Sequence, residues 1–168
     1  MILRPEAKGD QDQIRELTTA AFAPMPYSSG TEAAIIDGLR VAAALTLSLV
    51  AVDADRIVGH VAFSPVTIEG ALIGWYGLGP VSVRPDRQRA GIGQTLIRKG
   101  LSQLKAQGAA GCVVLGDPHY YARFGFAADR ALTYADAPAR NFMCLAFAPP
   151  LPRGEVRFHP AFDVEAPT

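Results

Sequence analysis

The chain has 168 residues, 49% of them hydrophobic and 19% charged, against a soluble norm of about 25% charged, so it can bury a sizeable core as a single domain with little disorder. Lys and Arg total 16, Asp and Glu total 16, and the formal net charge is zero. This balance removes the long-range field that draws a protein to nucleic acid or to an anionic membrane, and any positive character has to be local.

Met1 to Arg4 reads as a short strand ended by Pro5, which cannot donate to a ladder. Asp10 is suited to cap a helix carrying Ile14, Leu17 and Ala21 on one face, and the prolines and glycine of PMPYSSG stop it. Ser29 or Thr31 then caps a second helix with the stripe Ile35, Ile36 and Leu39. The period now changes from helical to alternating. Leu45, Leu47 and Leu49 are separated by Thr46 and Ser48, and beyond a turn at Asp53 to Asp55 a second run sets Ile57, Val61 and Phe63 on one face. These runs predict an antiparallel hairpin, followed by a turn near Glu69 and Gly70 and a strand over Trp75 to Val83.

From Gly91 the period is helical again, with Ile92, Leu96, Ile97, Leu101 and Leu104 on one face and a stop at Gly108. Gly100 weakens that helix by about 1 kcal/mol relative to alanine. The apolar run CVVL, Cys112 to Leu115, predicts a strand buried on both faces. Strand, helix and buried strand together predict a parallel crossover. A helical turn follows around His119 to Phe124, capped by Asp117 with Pro118 at its first position. A strand is expected within Phe142 to Phe147, APPLP ends the compact body, and the tail from Arg153 carries Val156, Phe158 and Phe162 to pack back on it. The predicted organisation is one domain over 1–148 with a C-terminal extension over 149–168.

Neither the N-terminus nor any apolar run has the pattern of a secretory signal or a bilayer span. Cys112 and Cys144 lack CxxC spacing and sit in apolar runs, which predicts buried free thiols and a cytoplasmic address. His60, His119 and His159 share no metal-ligand spacing, so no metal site is expected.

The chemistry concentrates in RQRAGIG, Arg87 to Gly93, placed between a strand and a helix. A helix N-terminus offers unpaired N–H groups and the positive end of its dipole, and glycine allows the backbone to approach a phosphate closely. A P-loop requires Lys and Ser or Thr directly after the last glycine, where Gln94 and Thr95 stand; a dinucleotide fingerprint requires a third small residue, where Leu96 stands. The spacing that remains is Gln88-x-x-Gly91-x-Gly93, accompanied after the buried strand by YYARFGF, Tyr120 to Phe126.

With these two motifs the chain resembles the GNAT superfamily of acyl-CoA-dependent N-acetyltransferases, over Leu3 to about Phe147. The resemblance implies an α/β fold: a central mixed, mostly antiparallel sheet with one splayed parallel strand pair, flanked by helices. It implies acetyl-CoA as cosubstrate, with backbone groups of Val81, Ser82 and Val83 along the pantetheine arm. Gln88, Arg89, Ala90, Gly91, Ile92 and Gly93 would hold the pyrophosphate, with Arg87 and Arg89 at its rim. Tyr121 matches the family's general acid, a phenol that can protonate a departing thiolate, whereas Tyr120 reads as a packing residue.

The splayed strand lacks the carboxylate many relatives use as a base and offers only Ser82; Glu32 and His60 are the alternatives. The expected activity is direct attack of a primary amine, on a small molecule or a peptide, on the acetyl thioester, with the acceptor selected by PMPYSSGTEAA and residues near Trp75. The competing reading is a binding module that senses acyl-CoA without turnover. No nucleic acid or membrane partner is expected, and a homodimer is compatible with either reading.

Overall fold

The computed structural model describes residues 1–165; the end of the C-terminal extension, 166–168, lies outside the described residues. β1 (Ile2–Pro5) leads into α1 (Gln11–Phe22) and α2 (Glu32–Val41), and β2 (Leu47–Asp53) and β3 (Arg56–Pro65) form the hairpin. A short β4 (Thr67–Ile68) precedes β5 (Trp75–Val83), and a 3-10 turn over Pro85–Arg87 leads to α3 (Ile92–Ala106). Then follow β6 (Gly111–Leu115), α4 (Pro118–Tyr121), β7 (Leu132–Thr133), β8 (Phe142–Ala146) and β9 (Gly154–Arg157).

The main sheet has six strands in the order β1-β2-β3-β5-β6-β8. Only β5 and β6 run parallel; every other pair in it is antiparallel. This is the mixed sheet flanked by helices that the resemblance implied. A second sheet, β4-β9-β7, was not anticipated. Its outer strands β4 and β7 span only Thr67–Ile68 and Leu132–Thr133, too short to show any period.

Each face of the main sheet has its own core. On one face α3 buries Leu96, Ile97 and Leu104 against Leu49, Val61 and Phe63; on the other, α1 and α2 set Ile14, Leu17 and Ile36 against Val50 and Ile57. Ile57 therefore does not share a face with Val61 and Phe63. The register shifts between Ala51 and Val52, so that Val58 is the extra residue of a bulge and Ile57 is turned over. Gly100 sits where α3 crosses Phe63, and a Cβ there would lie 2.2 Å from Phe63 Cε1.

Asp10 does not cap α1 with its side chain. Its carboxylate accepts from Arg4 Nη1 at 2.7 Å and from the Ala7 N–H at 2.7 Å, joining β1 to the turn ahead of the helix. Cys112 is buried and Cys144 only half-buried; both are free thiols. In the tail, β9 lies between β4 and β7 with Val156 buried, Phe158 covers Gly77 of β5, and Phe162 packs by Ile35 and Leu39 of α2.

Candidate functional site

β5 and β6 pair from Trp75 opposite Gly111 to Gly77 opposite Val113 and then part. Beyond that point β6 continues against β8, and β5 continues against β3, past a register shift opposite Ala62 that Gly79 and Pro80 absorb. A gap opens between the two strands.

Alternate residues of a strand turn their N–H and C=O to opposite sides. The Arg84 N–H donates to Val58 of β3, so Ser82 also faces β3, while Val81 and Val83 turn theirs into the gap. The Ser82 side chain is buried and donates to Thr18 Oγ1 at 3.4 Å. Of the three residues expected along the gap, Val81 and Val83 present backbone there and Ser82 does not.

The loop after β5 is pinned to it by Gln88, whose Nε2 donates to the Val83 carbonyl at 3.1 Å. Arg89 and Gly91 take left-handed backbone at φ of 64° and 83°, and the turn delivers the chain into α3 with no side-chain cap. The first helical bond runs from the Thr95 N–H to the Gly91 carbonyl, which leaves the N–H groups of Ile92, Gly93 and Gln94 ahead of it without helical partners. A Cβ at Gly91 would meet nothing within 4 Å, so the space above the helix end is open. The open edge of β5, the turn at Gly91 and the uncapped N–H groups follow one another along the chain, an order that suits an extended thioester arm ending in a pyrophosphate.

Ile92 contributes only backbone here, because its side chain is buried towards Gly59. Ala90 and Arg89 are exposed. Arg87 is not a mobile charge at the rim: its guanidinium is 2.8 Å from Asp53 at the end of β2.

α4 forms the opposite wall. Asp117 caps it by accepting the His119 N–H at 2.9 Å, with Pro118 in the first turn. The Tyr121 ring lies directly on Gly116, where a Cβ would stand 2.5 Å from its Cε2, and meets Phe126 edge-on with centroids 6.1 Å apart. Burial, reinforced by the phenols of Tyr120 and Tyr27 and the Cys112 thiol, lifts the Tyr121 hydroxyl well above the ordinary phenol value of 10.0, so it carries its proton at neutral pH. Tyr27 belongs to the connection between α1 and α2. Tyr120 packs against the core, and its hydroxyl also lies 3.5 Å from the Cβ position of Gly93 on the first turn of α3, an ordinary packing distance. Its position next to a phenol in the motif gave no hint of this reach.

The two alternatives for a base part company. Glu32 begins α2 and lines a cavity of about 380 Å³ with Thr18, Met25 and Ser28, accepting from Ser28 Oγ at 2.6 Å. His60 is fully buried between Val50 and Ser82. Ser48 Oγ donates to Glu6 Oε1 at 2.7 Å and therefore accepts from His60 Nε2 at 2.8 Å, while Nδ1 has no partner. Burial pushes the imidazole down to about 4, with Glu6 opposing and Arg40 assisting. Such a group neither reaches the gap nor takes a proton at pH 7.

His60 instead predicts an acid-sensitive fold. A histidine held neutral below its ordinary value of 6.5 contributes stability above pH 6.5 that is lost as the pH falls towards 4. The expected loss over that interval is about 3 kcal/mol. Urea unfolding should show it in the wild type, and His60→Gln should be flat there except below pH 4.5. In that lower range Glu6 begins to protonate: burial alone would raise its carboxyl, but the bonds from Arg40 and Ser48 hold it below 4.5. An equal slope in both proteins assigns the acid limb elsewhere.

Residues 3–128 match the family model for the acetyltransferase (GNAT) domain. The chain belongs to the GNAT family and is an acetyltransferase. Over 127 residues it is 38% identical to the uncharacterized N-acetyltransferase YhbS of Escherichia coli strain K12, covering 75% of this chain and 73% of that protein. The crystal structure of a GNAT family acetyltransferase from Brucella melitensis in complex with acetyl-CoA superposes with a TM-score of 0.88 at 54% identity, over 96% of this chain and 97% of that one. Escherichia coli YhbS in complex with CoA superposes with a TM-score of 0.89 at 31% identity, over 97% of this chain and 92% of the other. No helix among the described residues is long and apolar enough to cross a membrane.

Proposed function

We propose that this chain transfers the acetyl group of acetyl-CoA to the nitrogen of a primary amine, on a small molecule or a peptide, by direct attack while both are bound. The observation that carries the reading is the β5 edge that β6 leaves open beyond Gly77, leading along the chain to the uncapped start of α3, with a protonated Tyr121 on the helical turn after β6. The relatives crystallised with acetyl-CoA and CoA support the same cosubstrate here.

Acetyl-CoA supplies an acyl group already activated as a thioester. The backbone of Val81 and Val83 holds the extended arm as a strand would. The loop from Gln88 to Gly93 and the first N–H groups of α3 hold the pyrophosphate. A backbone N–H near Val81 meets the charge that develops on the carbonyl oxygen, a contribution of a few kcal/mol. Tyr121 Oη gives its proton to the departing sulfur. Glu32, in the cavity between α1 and α2, draws in the acceptor ammonium and takes its proton so that a neutral nitrogen attacks; the second proton that nitrogen sheds as the C–S bond breaks restores the Tyr121 phenol. A cytoplasmic setting, which keeps thiols reduced, suits the free Cys112 and Cys144.

Release of CoA thiol, measured with a panel of primary amines, tests the reading. Turnover with at least one amine is expected. Tight acetyl-CoA binding with no turnover on any acceptor would leave a sensing module, and no thermal stabilisation by millimolar acetyl-CoA would remove the cosubstrate as well.

A further inference from the structure

β6 and β8 run antiparallel with Leu115 opposite Phe142, which sets Gly116 opposite Asn141 one step further on. In a hydrogen-bonded pair of this kind each residue gives its N–H to the other's carbonyl. The Gly116 N–H does donate to the Asn141 carbonyl, at 2.9 Å. The return bond is missing from the backbone, because a 3-10 turn over Ala139–Asn141 takes the Asn141 N–H to the Pro138 carbonyl at 3.0 Å. The Asn141 side chain supplies it instead: Nδ2 donates to the Gly116 carbonyl at 3.1 Å. A short amide thus extends the ladder one residue past the end of the β8 backbone.

What the extended ladder holds is the seat of Tyr121. The Tyr121 ring fills the place of a Gly116 Cβ, which would stand 2.5 Å from Cε2. The next residue, Asp117, accepts the Tyr121 N–H on its carbonyl at 3.0 Å and the His119 N–H on its carboxylate at 2.9 Å. Ring and backbone of Tyr121 therefore rest on two consecutive residues, and Asn141 grips the first of them by both its N–H and its carbonyl. Close packing does not do this work from the other side, where a cavity of about 570 Å³ borders Asp117, Ala122, Asn141 and Met143. Loss of the Nδ2 donor leaves the Gly116 carbonyl without that bond, and the peptide joining Gly116 to Asp117 has room to turn.

We propose that Asn141 is a positioning residue for the transfer: its side-chain amide fixes the Gly116 seat from which the Tyr121 phenol is aimed at the departing sulfur. The inference rests on the assignment of Tyr121 as the acid. Asn141→Ala removes the donor, and Asn141→Asp replaces it with an acceptor at nearly constant shape, so the comparison survives if the smaller variant does not fold. Both are measured in the wild-type and Tyr121→Phe backgrounds. In the first, each is expected to lower kcat by about 10-fold or more, since slight displacement of a catalytic group can cost about 100-fold, while acetyl-CoA affinity by calorimetry stays within about twofold. In the second, neither should lower kcat further, because no phenol proton is left to aim. An equal loss of kcat in both backgrounds, a matching loss of acetyl-CoA affinity, or an unchanged kcat in the wild-type background overturns the inference and leaves Tyr121 as the acid. An unchanged kcat in Tyr121→Phe alone overturns both.

Discussion

Tyr121→Phe is expected to lower kcat by about 100-fold or more, within the range that positioned proton donors contribute, while acetyl-CoA affinity stays within about twofold. The substitution keeps the ring on Gly116 and against Phe126 and removes only the hydroxyl. Burial holds the proton on that oxygen at neutral pH, so it is available when the sulfur departs. Steady-state turnover, with calorimetry on the same preparation, separates the two quantities. An unchanged kcat removes Tyr121 as the acid, and a matching loss of affinity makes it a binding residue instead. Gly116→Ala is a second probe of the same atom. Its Cβ cannot coexist with the ring in place, so turnover should fall although the phenol is still present.

Gly100→Ala is expected to destabilise the protein by about 1–3 kcal/mol, the usual cost of overpacking a core, although helix propensity alone favours alanine by about 1 kcal/mol. The sign is set by Phe63, whose ring edge occupies the space of the missing Cβ at 2.2 Å and is itself fully buried between β3 and α3. In a Phe63→Leu background the obstruction is gone, and Gly100→Ala should become neutral or stabilising. Denaturant unfolding of the four proteins of this cycle measures the coupling directly. Additive effects would mean that the two residues do not compete for that space. The close approach matters for the site because α3 carries the Gly91 turn, and its distance from the sheet sets the height of the helix end above the gap.

The long periodic elements were legible in the sequence because each buries a single stripe. Ile14, Leu17, Ile36, Leu96, Ile97 and Leu104 all reach the cores their spacing assigned. Ile57 was misplaced because one extra residue in a strand reverses every face before it, and nothing local to Val58 announces the bulge. The glycine loop could be read because its φ values demand glycine at Gly91 and because competing motifs require residues this chain lacks. What could not be read was which groups face the gap. Ser82 turning to Thr18, Arg87 engaged by Asp53 and Tyr120 reaching Gly93 all depend on contacts between distant segments. Asp10 illustrates the same limit at a smaller scale: a good capping side chain was taken by Arg4, a stronger partner from the preceding strand.

The position of β9 has a consequence for how the protein is made. β9 is the central strand of its sheet, and it follows both of its neighbours in the chain. As the polypeptide leaves the ribosome, β4 and β7 emerge with no partner between them, and Val66, Ile68 and Leu132 wait with them for Val156. Two open strand edges over an apolar surface invite association with other nascent chains. Emergence of β9 closes both edges in one event and drops Phe158 onto Gly77, where the two strands of the gap begin to part. Stalled or prematurely terminated chains ending before Gly154 are therefore the species expected to be captured by chaperones or to aggregate.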